Sequence, residues 1–447
     1  MRRNESSTWG AGGFKLAVAL QSLIASFKAL CATLPDRRRG ENTVYDMTDI
    51  CMAAFSVFFI QSPSFLALQT ALQRGCGTSN CQTLFGMERI PTDNHIRTML
   101  DPVPPETLFT MFDTTLAALE TGGGLASFQR LGGHVLIALD GTEYFCSQKL
   151  SCESCSERKR ANGKIEHFHA MVSAALVAPG HERALPLEPE FVTPQDGAEK
   201  QDCEARATHR WLAAHGPKYA RLKPIYLGDD LSSRQATCEA VREIGGHFLF
   251  TAKPSSHKTL YSWLDGAEVP VYEQKIKQGA RFVTHRYRWL EGVPLRDGKD
   301  AMLVNWLEIE IVDPVGKVTY RNSFVTDLAV TKDNVAELAG CGRARWKIEN
   351  ETFNTLKTKG YNLEHNFGHG KERLAAVLAT MNLIAFAMHT VADLVDDPWK
   401  AARAAVGARK RFFEDLRAIT TYLVFPTWAA LVETMRTGQP PAVIRDG

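Results

Sequence analysis

The chain has 447 residues, with 52 basic against 50 acidic side chains, a formal charge of +2, and 45% apolar residues. This ordinary globular composition excludes a disordered, collagen-like or coiled-coil chain, and it excludes a histone-like polycation. At ~100–200 residues per domain the length suits two to four domains.

Residues 14–130 read as mostly helical. Phe14 to Leu30 is amphipathic, Pro35-Asp36-Arg37-Arg38-Arg39-Gly40 is a basic break, and Thr48 to Ile60 and Ser64 to Gln73 follow as helices. Asp93 and Pro105-Glu106 mark later helix starts. Near residue 130 the pattern changes. His134 to Asp140 is a short apolar run that Asp-Gly closes, which predicts a buried strand ending at a turn. His167 to Val177 predicts a second strand, Asp202 to His215 a helix, Pro224 to Asp229 another buried strand, Ser232 to Ile244 a helix and His247 to Ala252 a strand. From Pro254 to about Gly340 the apolar period is two, notably in Arg281–Leu290 and Trp306–Val312. Helix returns at Asp333, and Arg343 to Lys359 predicts one strong helix. Leu374 to Ala392 runs 19 residues without a charge, long enough to span a bilayer, but a buried core helix is the expected reading.

Ten Cys spread from Cys31 to Cys341 lack the density of a disulfide-stapled secreted domain, and Arg2-Arg3-Asn4-Glu5-Ser6 does not begin a secretory signal. A cytoplasmic location with reduced thiols is expected, with no membrane partner.

Three acids stand out by position. Asp140 and Asp229 each follow an apolar strand, and catalytic groups of open α/β sheets gather at the carboxyl ends of strands. Glu349 lies in the Arg343–Lys359 segment beside Trp346 and Ile348, with Glu351 as a second candidate acid. Such carboxylates suit two Mg²⁺ or Mn²⁺ ions and phosphoryl chemistry. Taken singly, an Asp after a strand is usually a turn residue and a helical Glu is usually solvated.

Together, Leu139-Asp140-Gly141-Thr142, Leu227-Gly228-Asp229-Asp230-Leu231 and Arg345-Trp346-Lys347-Ile348-Glu349, with Phe353 and Leu356-Lys357, resemble the DDE transposases of bacterial insertion sequences. The likeness covers roughly residues 40–395, and the Arg-Trp-x-Ile-Glu run is its most specific part. It implies an α/β fold: a ribonuclease-H-like core interrupted by a β-rich insertion, with a helical N-terminal domain and a helical C-terminal tail. The corresponding segments are 1–130 (DNA-binding), 131–253 (core), 254–340 (insertion), 341–395 (core with the Glu helix) and 396–447 (tail). It further implies that Asp140, Asp229 and Glu349 hold two metal ions, cut double-stranded DNA at the element's ends and join the 3′-hydroxyl to a target, in a homodimer on DNA. The chain departs from the family pattern at Gly342, where a Tyr is usual, and at Lys357, which follows Glu349 one residue late.

The expected DNA contacts are Arg345, four residues before Glu349, and Lys357, with Arg206 and Arg210 from a basic, aromatic-bearing segment that ends at Lys223. Trp289 of the insertion is a candidate base-stacking residue, with core packing as its plainer role. Arg37–Arg39, the Arg403, Arg409, Lys410, Arg411 group, His365 and His369 are candidate phosphate contacts. Cys146, Cys152, Cys155 and His167, near His169, make a possible structural zinc set, although one Cys-x-x-Cys is a weak signal and unligated thiols are the simpler reading. Two rival functions share the fold: a domesticated DNA-binding protein without catalysis, and a stand-alone metal-dependent nuclease.

Overall fold

The computed structural model describes residues 18–39, 43–194 and 202–440, so the Phe14 start of the first predicted helix lies outside it. The chain begins with helices α1 (Val18–Cys31), α2 (Met47–Phe59), α3 (Phe65–Gln73), α4 (Gly77–Phe85), α5 (Asp93–Leu100) and α6 (Thr110–Thr121). Strands β1 (Gln129–Arg130), β2 (His134–Ser147), β3 (Ser156–Lys159), β4 (Ile165–Val177), β5 (Leu185–Pro186) and β6 (Glu190–Val192) follow. Then come α7 (Glu204–Tyr219), β7 (Pro224–Gly228), α8 (Gln235–Glu243), β8 (His247–Thr251) and α9 (Lys258–Leu264). Four long strands, β9 (Val271–Gln278), β10 (Arg281–Pro294), β11 (Leu303–Val312) and β12 (Val318–Thr326), precede α10 (Val335–Arg343). The chain closes with α11 (Asn354–Thr358), α12 (Leu374–Val395), α13 (Asp397–Val406), α14 (Arg409–Tyr422) and α15 (Trp428–Thr437). The protein is mixed α/β, and the twelve strands join one mixed sheet with helices flanking it.

Two compact units form, and neither is a consecutive segment. The first gathers residues 1–126, 144–169 and 354–447. The second gathers 127–143 and 170–353. Each unit is assembled from separated stretches of sequence. The reason in the first unit is α12. Its mean hydropathy is 1.8 and its most apolar window is 89% buried, because α1, α2, α6 and α13 pack around it. A helix apolar on all sides needs partners on all sides, and the N-terminal helices together with α13 supply them. The N-terminal helices and the tail therefore share one core.

Asp101 starts α12 from a distance. Its carboxylate accepts the backbone N–H groups of Lys371, Glu372, Arg373 and Leu374 at 2.9–3.1 Å. Burial pushes this carboxyl up, but the four N–H donors outweigh it and hold Asp101 below its ordinary value. The stabilisation is therefore present above the ordinary carboxylate range and is lost as pH falls through the lowered value. Asp101→Ala should cost about 1–2 kcal/mol in urea unfolding at neutral pH, as loss of a helix cap does, and the deficit should shrink in acid.

In the second unit the strand order is β4–β2–β7–β8–β12–β11–β10–β9, with β5 and β6 on β4. β2, β7 and β8 are parallel, and from β8 to β9 every pairing is antiparallel. The period-two segment is not set apart from the core. Phe324 of β12 pairs with Thr251 of β8, so β9 to β12 extend the same sheet. One apolar layer runs from Leu136, Ile225 and Leu249 to Tyr287, Leu307, Ile309 and Phe324 under α10. On the polar side Arg286 meets Glu273 and Glu310, and Arg288 meets Glu308.

Candidate functional site

The site grows from strand register. Ala138 of β2 lies opposite Leu227 of β7, and the two strands are parallel. Asp140 and Asp229 each come two residues later, so they reach the same level on neighbouring strands, which stand ~4.8 Å apart. The sequence places a turn after Asp140; instead β2 runs on to Ser147. Gly141 permits this. A Cβ there would lie 2.4 Å from Oε2 of Glu204, and the Gly141 amide donates to Glu204 Oε1 at 3.2 Å and to Asp140 Oδ1 at 3.0 Å. A strand glycine marks such a close approach.

Arg345 ties the third acid in. Its guanidinium bridges Asp140 Oδ2 at 3.0 Å and Glu349 Oε1 at 2.9 Å, with only 21% of its side chain exposed. Glu351 is not in this bridge. The predicted continuous helix over Arg343–Lys359 is broken here. After α10 comes a tight 3₁₀ turn at Ala344–Trp346, then wide π turns over Ile348–Phe353, then α11. π turns are rare and concentrate at functional sites. Gly342 has its own cause: a Cβ would lie 2.7 Å from the Phe324 ring, so a larger side chain is crowded there.

Glu204, in the first turn of α7, is a fourth carboxylate that sequence reasoning missed. An acid in a helix's first turn is commonplace, so spacing gave no signal; only the Asp-Gly step inside β2 hints at its neighbour. Burial pushes the Asp140 carboxyl up to about 7; Arg345 pulls the other way, and the charges of Glu204, Glu349 and Asp229 add to the rise. Glu204 is also raised, by the protein packed around its carboxyl and by the charge of Asp229.

Asp229 and Asp230 differ in what binds them. Asp230 accepts from Lys253 N at 2.6 Å and from Ser256 Oγ, using both oxygens to fold the loop after β8. The hydrogen bonds of Asp229, from Leu231 N, Ser232 N and Ser232 Oγ, all fall on Oδ1. Among the described residues no hydrogen bond falls on Oδ2 of Asp229. Beside the acids an open cleft of about 370 Å³ is lined by Asp229, Lys253, Tyr320, Arg343, Arg345 and Trp346, among others. Trp346 is 51% exposed.

The other predicted contacts fall elsewhere. Arg210 is held by Glu190, Asp202 and the Phe191 carbonyl, while Arg206 is exposed. The aromatics of that segment, Trp211 and Tyr219, are buried. Trp289 packs against the apolar layer. Lys357 pairs with Glu364 at 2.8 Å. Arg403 and Arg409 are turned inward onto Asp393, and Arg37 pairs with Glu372. Of the Cys and His residues weighed as a zinc set, Cys152 and Cys155 cluster with His169 and His369, a group that could hold a metal ion. Cys146 instead meets Glu166, and His167 meets Glu157.

The chain matches no protein-family model and no curated protein.

Proposed function

We propose that the protein is a DDE-type transposase with a ribonuclease-H-like core, cutting DNA strands at the ends of an insertion sequence and joining them to a target. The observation that carries this reading is the convergence of Asp140, Asp229 and Glu349, with Asp140 and Asp229 level on adjacent parallel strands and Arg345 linking Asp140 to Glu349. The donor set fits a hard divalent cation: carboxylate oxygens alone, one of them Oδ2 of Asp229 without a hydrogen bond. Two Mg²⁺ or Mn²⁺ ions on these residues would supply the charge that activates the attacking oxygen and stabilises the leaving one.

The chain's own groups do the positioning. Arg345 fixes the rotamers of Asp140 and Glu349 and offsets part of their repulsion. Lys253, Arg343 and Arg345 give the cleft the positive charge that holds a phosphate backbone. The exposed Trp346 offers a ring face to an unpaired base at the same place. Pairing two element ends calls for two copies of the chain on DNA.

The test uses DNA that flanks the gene, incubated with the purified protein and Mg²⁺ or Mn²⁺, with new 3′ ends mapped. Discrete, metal-dependent cuts at an inverted-repeat boundary, followed by joining, are expected; Glu349→Gln should lose both. Binding without cuts would replace this reading with the silent DNA binder, and scattered cuts without joining would replace it with the nuclease.

A further inference from the structure

We propose that Cys152, Cys155, His169 and His369 form a tetrahedral structural zinc site in the first compact unit. The four donor atoms lie within 4.8 Å of one another. A tetrahedral ion with Zn–S near 2.3 Å and Zn–N near 2.0–2.1 Å sets the edges of its donor cage at about 3.8 Å for S–S, about 3.5 Å for S–N and about 3.3 Å for N–N. Here Cys152 Sγ and Cys155 Sγ are 3.7 Å apart, and each sulfur is 3.5 Å from His169 Nε2. Cys155 Sγ stands 3.3 Å from His369 Nε2, and the two imidazole Nε2 atoms are 3.2 Å apart.

Hydrogen bonding between the rings does not account for that last approach. The His369 Nδ1 lies 3.1 Å from the Gly370 carbonyl, and the His169 ring bonds to the Ser154 backbone. Each ring then spends its N–H outward and turns a lone pair inward, and two lone pairs face each other unless a cation lies between them. Two sulfurs and two imidazoles select zinc over the hard cations of the acidic cleft. Four protein ligands leave no open position, so the role is structural. The ion would clasp the Cys-x-x-Cys turn and the start of β4 to the loop before α12, joining Cys155 to a ligand 214 residues away in sequence.

The test is metal content, independent of any DNA activity. Full-length protein, purified without chelator, should carry one zinc per chain by mass spectrometry. Cobalt substitution should give the intense visible bands of a tetrahedral thiolate site. Cys155→Ala and His369→Ala should each weaken zinc binding tenfold or more, whereas Cys146→Ala and His167→Ala should keep it. Wild-type protein with neither zinc nor a cobalt spectrum would overturn the proposal. So would zinc lost equally from the Cys146 and His167 variants.

Discussion

Asp229→Asn should lower metal-dependent DNA cleavage by on the order of a thousandfold, about 4 kcal/mol of transition-state stabilisation, while the fold holds. The amide oxygen of Asn can still accept from Leu231 N and Ser232 N, the bonds that shape the turn. What it lacks is the second anionic oxygen, and with it the charge that a divalent ion requires. The neighbouring change, Asp230→Asn, should behave in the opposite way. Asp230 uses its two oxygens on Lys253 N and Ser256 Oγ, so its loss should show in thermal stability, with cleavage within about tenfold of wild type. Cleavage rates and melting curves of both variants, taken side by side, separate the two roles. Equal cleavage by Asp229→Asn and wild type would remove Asp229 from the site.

The largest effect on stability should come from Asp393→Ala. Asp393 is 5% exposed and accepts from Arg409 at 3.2 Å and from the Trp399 indole at 2.8 Å, with Arg403 at 3.5 Å. Arg409 in turn donates to the Tyr361 hydroxyl, which bonds the buried His389. Removing the acid leaves two inward-facing guanidinium groups without their counter-charge, and breaking a buried pair in this way costs about 3–5 kcal/mol. Urea denaturation measures it. A loss below about 1 kcal/mol would mean that the arginines swing out to water.

Much of this architecture was legible, for identifiable reasons. The buried strands β7 and β8 and the alternating strands β10 and β11 carry their period in the residues themselves, and α12 is too apolar to lie anywhere but in a core. The two aspartates were found because each follows a buried apolar run. What was hidden depended on tertiary contacts. Glu204 reaches the acids only because Gly141 leaves space for it. His369, the fourth member of the Cys/His cluster, sits in a loop distant in sequence from Cys152 and Cys155, and local spacing favours His167 instead. The helix expected over Arg343–Lys359 gives way to π turns at Ile348–Phe353, a backbone detail that no propensity scale encodes.

The scattered make-up of the first unit has a consequence for synthesis. Nearly every side chain of α2 is buried in the finished fold, against a helix that the ribosome makes roughly 300 residues later. At ~5–20 residues per second the wait is tens of seconds. Throughout that interval the face of α2 that packs on α12, with Phe59 against His389, has nothing to cover it. The nascent chain therefore presents a sticky apolar helix for most of its translation, and its yield in a cell should depend on chaperones that shelter the N-terminal helices until the last hundred residues emerge.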